Sequence, residues 1–167
     1  MSNAPRRLRD ESEFSFEHLA GYSRAVRLGS HISVSGTGPS GDPPPPSTYD
    51  QAVDCLRRVI AAVEHLGGTR ESIVRTRLYL APGAEWTGAA AAHRELLGDV
   101  APANTTLFAG SLIGPGFLVE VEADAKVTSC EAGIVELVVA DDGSIPATQL
   151  ASLGVRPGTH LRVVAGQ

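Results

Sequence analysis

Cysteine is scarce in this chain of 167 residues, and the two present, Cys55 and Cys130, are far apart. They match no metal or redox spacing, which excludes a disulfide framework and suits a reducing, cytoplasmic setting. Basic runs are short as well. Nothing exceeds Arg6-Arg7-Leu8-Arg9, and the formal net charge is −5. A surface able to neutralise a phosphate backbone is therefore missing, and nucleic acid is not an expected partner. No apolar run approaches the length of a membrane span, and no signal peptide is read ahead of the body, so no membrane partner is expected. His18, His31, His65, His93 and His160 show no ligand spacing, so neither a metal nor another cofactor is expected.

What is present is enough apolar material, 43% of residues, for one compact domain and a modest appendage. Residues 1–12 read as a flexible leader, 13–127 as the main domain and 128–167 as a β-rich extension. The Ala-, Gly-, Arg- and Pro-rich usage is that of a GC-rich bacterial genome. Phe14-Ser15-Phe16 alternates like a short edge strand. The segments 24–28 and 31–35 alternate too, and Gly29-Ser30 between them signals a hairpin, because Gly supplies the positive φ of a two-residue turn. Pro43 to Pro46 cannot pair in a sheet and form an exposed polyproline-like arm.

Ser47-Thr48-Tyr49-Asp50 has the form of a capping box and starts a helix. Its apolar face is Ala52, Leu56, Val59, Ile60, Val63 and Leu66, and Gly67-Gly68 ends it. Residues 73–80 alternate as a strand, with Val74, Thr76, Leu78 and Leu80 on one face and Arg75, Arg77 and Tyr79 on the other. A second helix spans about residues 85–97, stopped by Gly98. It opens on Trp86, which could lid a cleft but reads better as a packing residue, and Cys55 on the first helix reads as a small core residue. In the last strand of the body, Val119, Val121, Ala123 and Ala125 alternate with Glu120, Glu122, Asp124 and Lys126. The carboxylates stand roughly 6.5–7 Å apart, two strand rises. The order hairpin, helix, strand, helix, strand, strand is an α+β layer with both helices on one face of the sheet. The other face carries too much apolar surface for a monomer, and self-association that covers it is expected.

Several segments resemble the reactive intermediate deaminase (Rid) family, also known as the endoribonuclease L-PSP family. They are Gly21-Tyr22-Ser23-Arg24-Ala25-Val26, Val34-Ser35-Gly36-Thr37, the helix with its Gly67-Gly68 exit, and Ile73-Val74-Arg75-Thr76-Arg77-Leu78-Tyr79. Pro102-Ala103-Asn104-Thr105 and Leu118-Val119-Glu120-Val121-Glu122-Ala123 complete the series, in family order over residues 13–127. The resemblance implies a chorismate-mutase-like α+β fold, a homotrimer, and a small-molecule substrate held in clefts between subunits. It implies hydrolysis of a reactive imine or enamine, with Glu120 as the catalytic carboxylate that positions or activates water. A non-catalytic binding homologue is the alternative, and ribonuclease follows only the older family label.

The implied substrate-binding residues are Asn104, Thr105, Tyr22, Ser35, Gly36, Arg24 and Arg77. Asn104 is a departure, because deaminating members carry there an arginine that grips the substrate carboxylate. An amide provides neither the charge nor the bidentate fork of guanidinium. Two roles stay open for Glu120, water activation or structural hydrogen-bond acceptor, and two for Tyr22, ligand contact or packed aromatic. Asn104 has the same choice between site residue and turn-stabilising residue. Arg24 and Arg77 read first as strand-face ion-pair partners. The extension is weakly similar to AbrB-like swapped-hairpin modules. Its Arg156 and Arg162 are outnumbered by Glu131, Glu136, Asp141 and Asp142, which favours oligomer packing over DNA binding.

Overall fold

Eight residues of strict alternation, Val119–Lys126, form the strand on which the sheet is assembled. The computed structural model describes residues 7–10 and 15–127. In chain order its elements are β1 (Arg7–Asp10), α1 (Ser15–Ala20), β2 (Ala25–Leu28), β3 (His31–Thr37), α2 (Thr48–His65), β4 (Ile73–Leu80), α3 (Trp86–Leu97), β5 (Ala103–Phe108) and β6 (Val119–Lys126). The extension read over 128–167 lies outside the described residues. The described strands make one sheet in the order β1-β2-β3-β6-β4-β5, so β6, the last of them in sequence, is interior. It pairs antiparallel with both β3 and β4. Among the described strands only β4 and β5 run parallel, which requires the crossover that α3 supplies.

The α+β expectation, with both helices on one face, holds. Val119, Val121, Ala123 and Ala125 are buried in one apolar cluster with Leu56, Val59 and Val63 of α2 and with Ala89, Ala92 and Leu97 of α3. Ser47 caps α2 by accepting a hydrogen bond from the Asp50 N–H at 3.1 Å. Cys55 is buried, and that burial pushes its thiol up to about 12, so it is an inert core residue. Buried Gln51 donates to the carbonyls of Pro45 and Gly116 and accepts from the Leu118 N–H, which ties the proline arm and the loop before β6 to α2. Among the described residues, no helix is long and apolar enough to cross a membrane.

Three local expectations need correction. Ser15 and Phe16 belong to the helix α1, not to a strand; three alternating residues are too few to fix a period. Gly21, at φ 70°, ends this helix and donates to the Glu17 carbonyl. The edge strand comes instead from Arg7–Asp10, inside the stretch read as a flexible leader, by antiparallel pairing with β2. In β4, a register shift between Ile73 and Arg75 buries Ile73 and leaves Val74 49% exposed. A single extra residue reverses the face of everything before it.

Candidate functional site

Alternation along β6 turns Glu120, Glu122 and Asp124 away from the buried valines. Two of these carboxylates are occupied. Glu122 accepts from Arg77 at 3.1 Å and from the Tyr79 hydroxyl at 2.9 Å, and Asp124 accepts from Arg77 at 3.2 Å and from Ser33 at 3.2 Å. Glu120 is half-buried and has no hydrogen-bond partner among the described residues. Burial, and then the neighbouring Glu122 charge, push its pKa above the ordinary glutamate value, with Arg24 partly offsetting them. A carboxyl held this way is poised to exchange a proton nearer neutral pH than an exposed glutamate.

The Glu120 head group lies against Gly36. A Cβ at position 36 would come within 2.0 Å of Glu120 Oε1. The β3–β6 ladder shifts register between Val34 and Thr37, taking Ser35-Gly36 out of regular pairing beside the carboxylate. Glu120, Gly36, Arg24 and Tyr22 line one cavity of about 400 Å3, walled by apolar side chains that include Phe117. Arg24 is fixed at its edge, donating to the Gly36 carbonyl at 3.0 Å, to Thr37 Oγ1 at 2.8 Å and to buried Glu17 at 3.3 Å. Ser35 donates to the Ser23 carbonyl at 2.8 Å and lines an adjoining cavity with Tyr22.

Asn104 is elsewhere. It pairs with Thr76 across the parallel β4–β5 register, and its Nδ2 donates to Thr76 Oγ1 at 3.0 Å. Thr76 is fully buried and also bonds His93 Nε2 of α3 at 2.8 Å, so Asn104 is on the helix-covered face. Its Oδ1 accepts from Thr106 at 2.9 Å. Burial lowers the His93 pKa, which keeps the imidazole neutral near neutral pH. Asn104, Thr106 and Phe108 of β5 face Trp86, His93 and Arg94 of α3 across a second cavity of about 510 Å3.

The residues implied by resemblance thus fall into three places. Tyr22, Arg24, Gly36 and Glu120 come together, with Ser35 adjacent. Asn104 lies two strands over, on the opposite face. Thr105 and Arg77 pair in register on the open face, where Arg77 is engaged by the carboxylates. The second cavity was not read from sequence, and Trp86, expected to pack, is 59% exposed at its mouth. The signal that could have found it is the recurrence of Trp86, Ala90 and Arg94 at four-residue spacing, one stripe of a helix. Among the described residues, no cluster of His, Cys, Asp or Glu has the geometry to hold a metal.

A six-stranded mixed sheet with two helices on one face is the architecture of the YjgF class of α+β fold. Residues 13–127 match the family described as Endoribonuclease L-PSP, and the chain belongs to that family, the Rid or YjgF family. It is 32% identical over 132 residues to the Streptomyces coelicolor protein SCO2049, covering 74% of this chain and 93% of that protein. Among solved structures, Rv2704 of Mycobacterium tuberculosis, described as a member of the YjgF/YER057c/UK114 family, is 38% identical. It superposes with a TM-score of 0.68 over 73% of this chain and all of that one. The YjgF gene product of Escherichia coli is 25% identical, with a TM-score of 0.58 over 63% of this chain and 87% of that one.

Proposed function

We propose that the protein hydrolyses a reactive imine or enamine in a cleft shared between subunits, with Glu120 as the proton-accepting group. The observation that carries this reading is the Glu120 carboxylate itself: half-buried, unpartnered among the described residues, raised in pKa, and seated against Gly36 in a cavity of about 400 Å3. Structural carboxylates on this sheet look different, as Glu122 and Asp124 show with their two hydrogen-bond donors each.

In the proposed step, Glu120 accepts a proton from water while the water oxygen bonds to the imine carbon. The C=N electron pair moves to nitrogen, which takes that proton from Glu120 to give the carbinolamine. The carbinolamine then collapses: Glu120 moves the hydroxyl proton to the amino nitrogen, the C–N bond breaks, ammonia leaves, and the carbonyl forms. Glu120 passes both protons of the water to nitrogen, so the carboxylate is regenerated. Asn104 and Glu120 sit on opposite faces of one sheet, so a second subunit is needed to bring the two cavities into one site. A homotrimer, which family membership implies, is the assembly proposed to do so.

A panel of imines and enamines, with and without carboxylates, tests the reading. Turnover is expected in wild type, and Glu120→Gln should lower it by about 100-fold or more, because an amide cannot accept the proton. The rate should rise with pH through the raised Glu120 pKa, above the range of an ordinary glutamate. Undiminished turnover in Glu120→Gln would remove Glu120 from the chemistry. Saturable ligand binding without turnover across the panel would instead establish a non-catalytic binding homologue.

A further inference from the structure

Position 104 is an asparagine, where the resemblance implies an arginine in deaminating members; of the other cations, Arg75 stands on the open face outside the Asn104 cavity, and two more are occupied. Arg77 is bound by Glu122 and Asp124, and Arg24 by Glu17, Thr37 and the Gly36 carbonyl. Arg94 differs from both. It is exposed on α3, lines the same cavity as Asn104, and makes no ion pair or side-chain hydrogen bond among the described residues. Trp86, Ala90 and Arg94 form one helix stripe along this cavity, opposite Asn104, Thr106 and Phe108.

We propose that Arg94 is the anion-gripping residue of this site and that its ligand is a carboxylate carrying an apolar body, held between Trp86 and Phe108. The assignment rests on the reading above only in taking this cavity as part of the functional site. Asn104 contributes a fixed neutral contact. With Nδ2 bound to Thr76 and Oδ1 bound to Thr106, the amide cannot turn, yet it keeps a second N–H for a ligand oxygen. Arg94 supplies the charge from the rim. A cation at the rim leaves the floor, which includes Leu78 and Leu80, for an apolar body. Ala90 keeps the space open, since its side chain ends at Cβ. A cavity of about 510 Å3 has room for a ring-sized group. Substrates larger than a two- or three-carbon acid are therefore favoured.

The single tryptophan of the chain, Trp86, makes its fluorescence a reporter of this cavity. Titration of the full-length protein uses phenylacetate, its neutral isostere phenylacetamide, and acetate. Phenylacetate should change Trp86 emission saturably and bind about tenfold or more tightly than either of the others, as expected for a charge-assisted contact plus apolar burial. Arg94→Gln should remove the preference of carboxylate over amide while phenylacetamide binding persists; Arg94→Lys should keep part of it. Ala90→Leu, which fills the cavity from an exposed helix position, should weaken both aromatic ligands. Equal affinity for phenylacetate and phenylacetamide in wild type, no binding of phenylacetate, or an unchanged preference in Arg94→Gln would each overturn the assignment. Glu120→Gln separates the two readings, because it should keep the Arg94-dependent preference. That preference with no turnover of any imine overturns the hydrolase reading alone. Glu120-dependent turnover with no preference from Arg94 overturns this assignment alone.

Discussion

A hydrogen atom in place of a side chain at position 36 decides where the Glu120 carboxylate rests. Gly36→Ala would put a Cβ within 2.0 Å of Glu120 Oε1, and the flexible glutamate is the partner that must move. The variant should stay folded by circular dichroism while turnover falls by about 10-fold or more, since an ångström-scale misplacement of a catalytic group carries penalties of that order. Glu120 also gives a stability signature of definite sign. Burial raises its pKa in the folded state, so on raising pH the unfolded chain releases this proton first. Stability is therefore lost as pH rises from the ordinary glutamate pKa through the folded value. Glu120→Gln should show a higher thermal midpoint than wild type at neutral pH, and the gap should close below the ordinary glutamate pKa. A gap of opposite sign would mean that the carboxylate is stabilised by a partner.

At the scale of elements, α2 covers the sheet and anchors both the proline arm and the loop before β6. Its N-terminus depends on Ser47, whose hydroxyl accepts from the Asp50 N–H. Ser47→Ala should cost about 0.5–2 kcal/mol in urea denaturation at unchanged m-value, the usual effect of losing a cap. The start, apolar face and glycine stop of this helix were all legible in the sequence, because each is set by residues within a turn or two of one another. The same holds for the alternation of β6. The face of Val74 was not legible. It depends on a one-residue shift against β6, nearly fifty positions away, and local alternation carries no record of that shift.

At the scale of the molecule, the exposed edge strand β5 calls for a partner. Every residue of β5 is exposed, with Leu107 and Phe108 both solvent-facing in the isolated chain. A second copy that places its Glu120 cavity against the β5–α3 cavity would cover this surface and complete the proposed site. Light scattering should give a trimer or a multiple of it; a stable monomer at micromolar concentration would remove the shared-site model. Co-refolding Glu120→Gln with Arg94→Gln gives a sharper test. In cyclic assemblies each shared site draws Glu120 from one subunit and Arg94 from the next, so an equimolar mixture should recover about a quarter of wild-type activity. No recovery, in mixed assemblies confirmed by mass, would place both residues in the same subunit's site.

The sequence by itself determined the α+β class, the two helices and their caps, the last strand of the body with its row of carboxylates, and membership of a family through segments in fixed order. It also placed an amide at position 104, where the resemblance implies a guanidinium in deaminating members. These properties are written in spacings of two to four residues or in short motifs. The tertiary structure decided that 7–10 is the edge strand and that Arg77 and Arg24 are already bound. It also decided that Asn104 and Glu120 face away from each other, and that Arg94 and Trp86 meet Asn104 across a cavity. Each of these follows from hydrogen-bond register and packing between segments distant in the chain, where shifting one residue exchanges the two faces of a strand.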